Sequence, residues 1–156
     1  MTGGGVISLN GYVDGSVVEV KFTHGFTLHC DNLLSNNLEI NWAGRQWHIE
    51  KESLENIRCT DEPDVAPEPP PAPFDTFKAN AVGRLDGVWG SYIWFKLQDA
   101  GEPGGKYDKA GLMIWAVGAD PSTDDPVVYV PFDFTVNGNI TAHYDQPHGC
   151  NVNKPC

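Results

Sequence analysis

The sequence predicts an all-β protein: a mostly antiparallel β-sandwich of about eight to ten strands, with an extended Pro-rich strap between its halves. Three observations carry that expectation. Apolar and polar residues alternate in many short segments, turn dipeptides ending in Gly sit beside those segments, and no apolar pattern of helical period is long enough for a crossover helix. The composition agrees, because 17 Gly and 12 Pro in 156 residues, beside many aromatic and β-branched side chains, suit strands and tight turns.

The first clear strand runs from Val17 to Cys30, with Val18, Val20, Phe22, Phe26 and Leu28 on one face and Glu19, Lys21, Thr23 and Thr27 on the other. His24 falls on the apolar face next to Gly25, where a bulge would redirect it, and reads as a satisfied core histidine. Leu38, Ile40 and Trp42, then Ala43-Gly44, then Trp47 and Ile49 read as a hairpin. Asn10-Gly11, Asp14-Gly15, Asp86-Gly87 and Asn137-Gly138 are further expected turns. Ser53 to Ile57 is a short helical candidate that reads equally well as strand.

The segment from Pro63 to Pro73 holds six of the 12 prolines and excludes a helix or a central strand. It reads either as a polyproline ligand for a partner or as a stiff strap across the domain, and the strap is preferred. Beyond it, Tyr92, Trp94, Lys96 and Gln98 alternate with Ile93, Phe95 and Leu97. Ala110, Leu112, Ile114 and Ala116 alternate in the same way with Gly111, Met113, Trp115 and Val117. These two runs make a hairpin around the loop 99–109, with an expected register of Phe95 opposite Ile114 and Leu97 opposite Leu112. Tyr92, Trp94, Met113 and Trp115 then share the other face as a candidate binding surface. A sugar, a second subunit or the strap is expected to cover it. The chain reads as one domain, 1–156, with a connector at 63–73 and a disulfide-pinned tail at 145–156.

Ten Lys and Arg against 21 Asp and Glu leave a formal charge of -11, which argues against nucleic acid and anionic membranes. No apolar run approaches the roughly 18 residues of a membrane helix, so no membrane insertion is expected. Four cysteines permit three disulfide connectivities, and the preferred one pairs Cys30 with Cys59 and Cys150 with Cys156, each within its own half of the chain. None lies in a C-x-x-C pair, which weighs against a Cys-ligated metal. Disulfides imply an oxidising compartment, secreted or cell-surface. The opening Met-Thr-Gly-Gly-Gly carries no signal segment, which a precursor is expected to have supplied.

The hairpin loop Asp99-Ala-Gly-Glu-Pro-Gly-Gly-Lys-Tyr-Asp108 resembles a D-x-G-E-P-G signature of uncharacterised β-rich domains of secreted bacterial proteins. The resemblance extends to 37–48, 59–63, 73–76, Gly138-Asn139 and His143. It implies a secreted β-sandwich and no established activity.

Two groups of side chains offer chemistry. Asp99, Glu102 and Asp108, spaced by glycines, form an oxygen-rich set for calcium, against which stands a turn with solvated acids. Of the five histidines, His143 and His148 lie close together in the tail and are the candidate ligands for a transition metal, with His24, His29 and His48 behind them. No nucleophile elbow, phosphate loop, dinucleotide fingerprint or H-E-x-x-H occurs. The leading expectation is a non-catalytic extracellular binding or structural module, for surface assembly through self-association or for carbohydrate contact. The alternative is a small copper- or zinc-dependent secreted enzyme that uses histidine ligands.

Overall fold

The computed structural model of the chain describes residues 1–65, 74–101, 107–132 and 135–143, and the side chains of all of these except 50–52. Nine strands follow one another: β1 Thr2–Val13, β2 Ser16–Thr27, β3 Asn37–Trp42, β4 Arg45–Thr60, β5 Thr76–Leu85, β6 Val88–Gln98, β7 Lys109–Ile114, β8 Val128–Val130 and β9 Asn137–Thr141. No helix occurs among the described residues, and Ser53 to Ile57 lies within β4.

All pairings are antiparallel, so the all-β expectation holds, but the sandwich does not. Successive strands pair from β1 to β8, and β1 also pairs with β8 and β9, so one sheet closes into an eight-staved barrel. The physical reason is that alternation specifies an inside and an outside face equally for a closed sheet and for two stacked ones. Closure rests on β1, whose Tyr12 and Val13 pair with β8 while Thr2 to Val6 pair with β9.

The eighth stave is broken. On β7, Leu112 pairs with Val130 and Lys109 bridges to Thr135, so three residues face five. On β1, Tyr12 pairs with Tyr129 and Val6 with Asn137, so six residues face eight. The chain between the β8 and β9 pairings is therefore two residues longer than the strands it faces, more than the single extra residue of an ordinary bulge. The detour crosses Gly111, where an added Cβ would come within 2.7 Å of the Phe132 Cα. Only glycine admits that crossing.

The inner face is a filled core, with Phe22, Trp42, Trp47, Phe77, Phe95, Ile93 and Ile114 fully buried. Gly83 leaves the room that the Trp47 ring occupies, because a Cβ there would stand 2.5 Å from its Cζ2. The Trp47 Nε1 donates to Ser91 Oγ at 3.1 Å, and that hydroxyl donates to the Trp115 carbonyl at 2.6 Å, so a buried indole N–H is satisfied inside the barrel. Cys30 and Cys59 form the expected disulfide and join the end of β2 to the end of β4. The Cys150–Cys156 pairing lies outside the described residues.

Of the four expected Gly turns, Asp14-Gly15 and Asp86-Gly87 close hairpins with positive φ at both residues, as does Ala43-Gly44. Asn10-Gly11 and Asn137-Gly138 instead lie inside β1 and β9, because long-range pairing overrode their local preference. The β6–β7 register also differs from the expectation. Phe95 pairs with Leu112, Leu97 with Ala110, Trp94 with Met113 and Lys96 with Gly111. The shift is by two residues, so every side chain keeps its expected face.

Candidate functional site

Three hairpin turns share one end of the barrel, and Arg45 ties them together. Its guanidinium donates from Nε to Asp86 at 2.9 Å and from Nη1 to both oxygens of Asp14, at 2.9 and 3.1 Å. The Gln46 backbone N–H bonded to Asp86, and then Arg45 beside it, hold that carboxyl below its ordinary range. Burial opposes the charge on Arg45, and the bonds to Asp86 and Asp14 more than offset it.

The opposite end is held by buried carboxylates. Asp108 accepts the Ala100 N–H at 3.0 Å and the Ile140 N–H at 2.7 Å, and Asp99 accepts the Gly101 N–H at 2.9 Å and the Ala142 N–H at 2.8 Å. The two side chains thus serve the free edge of β9 in place of a neighbouring strand. Asp75 accepts the Glu62 N–H at 2.9 Å and the Thr76 hydroxyl, and burial raises its pKa. Glu102, the third member of the calcium set, lies outside the described residues. All four oxygens of Asp99 and Asp108 already accept backbone N–H groups, and no cluster of three or more metal-ligating side chains occurs among the described residues.

The histidines are scattered. His143 Nε2 lies 2.7 Å from the Thr2 hydroxyl, and His148 falls outside the described residues. His24 is buried on the inner face and stacked on Phe26 with 5.9 Å between ring centres, yet neither ring nitrogen has a hydrogen-bond partner. Burial lowers its pKa to about 4, so the ring is neutral. The expected core placement is found, but the expected hydrogen-bond satisfaction is not, because the apolar inner face offers neither ring nitrogen a partner. Gly25 makes no bulge, since β2 keeps unbroken register on both sides.

The candidate binding surface divides. Trp94 and Met113 are half-buried on the outer face and directly opposite one another. Trp115, just past the end of β7, is 6% exposed, because its Nε1 donates to the Asp124 carbonyl at 2.9 Å and Tyr92 packs edge-on against its ring. The chain's own 116–127 connection is what meets Trp115. The strap segment that was expected to do so lies mostly outside the described residues. Two residues the sequence reading missed extend the surface. Met113 pairs with Tyr129, which is 43% exposed, and Tyr129 pairs with Tyr12, giving an outer row Trp94, Met113, Tyr129 and Tyr12 across four strands. Tyr12, Met113, Asp125, Pro126 and Tyr129 line an open groove of about 570 Å³ there. The signal that finds them is closure itself, since β8 meets β1 only in the barrel.

The chain matches no protein family, curated protein or solved structure.

Proposed function

We propose that this protein is a non-catalytic extracellular binding module that contacts carbohydrate through the outer aromatic row of its barrel. One observation carries the reading: Trp94, Met113, Tyr129 and Tyr12 stand in direct cross-strand register, and the last three of them line an open groove. Stacked apolar faces of this kind suit the flat C–H face of a sugar ring, with polar groups at the margin to bond its hydroxyls. Asp125 lines the groove and supplies a polar group at its margin. The filled interior supports a surface ligand over an enclosed one. The Cys30–Cys59 disulfide and the resemblance of the 99–108 hairpin to secreted β-rich domains support an extracellular setting.

The test is retention on a panel of insoluble polysaccharides, comparing the native chain with Tyr129→Ala. The proposal expects retention on at least one, lost in the variant, with the melting temperature unchanged. Equal retention of both proteins, or none of either, overturns it. A dimer in sedimentation that Tyr129→Ala dissociates would make the row a subunit contact instead, and stoichiometric copper or zinc in the purified protein would overturn the non-catalytic assignment.

A further inference from the structure

The outer face carries a second ordered row, next to Trp94 and nearer the carboxylate end. Arg58 of β4 pairs with Lys78 of β5, and Lys78 with Lys96 of β6. The next position across is Gly111, and Lys109 lies two residues from it on the same face of β7. Four of the ten Lys and Arg of a chain with net charge -11 are thus gathered in one place. Like charges directly opposite on neighbouring strands repel and cost stability, so the arrangement is not explained by the fold.

Nothing among the described residues neutralises it by direct pairing. Both ion pairs there belong to Arg45. The Lys96 ammonium lies 3.8 Å from the centre of the Phe132 ring instead. Burial lowers the Lys96 pKa, and Lys78 and Lys109 push the same way, against Glu62 and Asp75. Those two carboxylates are engaged elsewhere: Glu62 accepts the Thr60 hydroxyl at 2.9 Å, and Asp75 accepts the Glu62 N–H and the Thr76 hydroxyl.

We propose that Arg58, Lys78, Lys96 and Lys109 bind the acidic groups of an anionic polysaccharide, sulfated or uronic, whose sugar ring lies on Trp94. This rests on the carbohydrate reading of the aromatic row and names its substrate class. At about 4.8 Å between strands, the three paired cations span about 10 Å, room for a flexible strand crossing the barrel. Trp94 sits two residues from Lys96 on the same face of β6, so charge and ring serve one ligand. A nucleic-acid duplex suits the surface poorly, because it would also press on the acidic remainder of the chain.

The experiment measures binding of the full chain to dextran sulfate, unmodified dextran and an oligo-dT strand at low and high salt. The expected result is binding to dextran sulfate that salt weakens, little to the other two, and a loss of about tenfold in Arg58→Gln/Lys78→Gln, as expected for two solvent-exposed ionic contacts. The melting temperature of that variant should hold or rise, because removing these charges relieves repulsion. Lys21→Gln, on β2, serves as the control and should bind normally. Undiminished binding by the double variant overturns the proposal, as does equal affinity for oligo-dT. Retention of neutral polysaccharides that Tyr129→Ala abolishes, with no binding of dextran sulfate, sinks the anionic class and leaves the aromatic row standing. Dextran sulfate binding indifferent to both Trp94→Ala and Tyr129→Ala sinks the carbohydrate reading itself.

Discussion

At one end of the barrel three hairpins close on two-residue turns, whereas at the other end the connections are long and three buried aspartates gather the backbone around them. The turns are local devices. Asp14-Gly15, Ala43-Gly44 and Asp86-Gly87 each place two successive residues at positive φ, which matches the twist of the flanking strands. Arg45 then adds a surface network whose side chain remains 30% exposed. The carboxylate end depends on contacts far apart in sequence: Asp108 holds Ile140 across 32 residues and Asp99 holds Ala142 across 43. These two bonds are buried, so the loss of either leaves a donor with no access to water. Equal numbers of polar contacts therefore carry unequal weight, decided by burial.

The largest expected effect is therefore at Asp108. Asp108→Ala should cost roughly 3–5 kcal/mol in urea unfolding, because it orphans the Ala100 and Ile140 N–H groups, one of them in a buried bond. Asp108→Asn keeps one acceptor and should recover part of the loss. A cost near that of a surface residue would abolish the contrast between the ends.

His24, on β2, sharpens the same contrast through pH. Its folded pKa of about 4 lies below the ordinary 6.5, so the native state disfavours the proton. Its contribution is intact above pH 6.5 and is lost as the pH falls through 4, a change of about 3 kcal/mol. Its neighbours in register, Gly5 and Ile40, and the stacked Phe26 carry no charge that would offset the penalty. His24→Phe should flatten the acid limb of the melting temperature between pH 6.5 and 4. An unaltered limb would show that this ring does not set it.

The smallest effect belongs to the turn end. Arg45→Ala should cost about 1 kcal/mol or less, since exposed ion pairs are screened and the turns hold their own geometry. High salt should weaken the native chain by a similar amount and leave the variant unaffected. A loss comparable to that at Asp108 would mean that Arg45 joins the turns cooperatively.

Much of the barrel was legible because its strands are written in period two. Phe95, Leu97, Leu112 and Ile114 were placed on the inner face, and they remained there although the register differed by two, since a two-residue slip preserves every face. The turns at Asp14-Gly15 and Asp86-Gly87 were legible for the local reason that Asp and Gly accept positive φ, and Ala43-Gly44 because alternating strands flank it. Asn10-Gly11 has an equal turn preference and is strand, because β1 pairs through it with β2. The candidate surface was half legible: Trp94 and Met113 follow from alternation, while Tyr12 and Tyr129 join them only through a pairing that spans most of the chain.

Period-two alternation and turn chemistry alone established that the chain is β, where three of its hairpins turn and which side chains face inward along the strands, while Cys30–Cys59 was only the preferred one of three connectivities until the fold brought the two together. Tertiary structure decided that the sheet closes on itself, that β8 and β9 form one broken stave, and that Asp99 and Asp108 serve β9. It also decided that Arg58, Lys78 and Lys96 stand in one row. The reason is that periodicity and turn propensity act over a few residues and fix faces, whereas neighbours across a barrel are chosen by the simultaneous burial of every inner face and the pairing of every free edge.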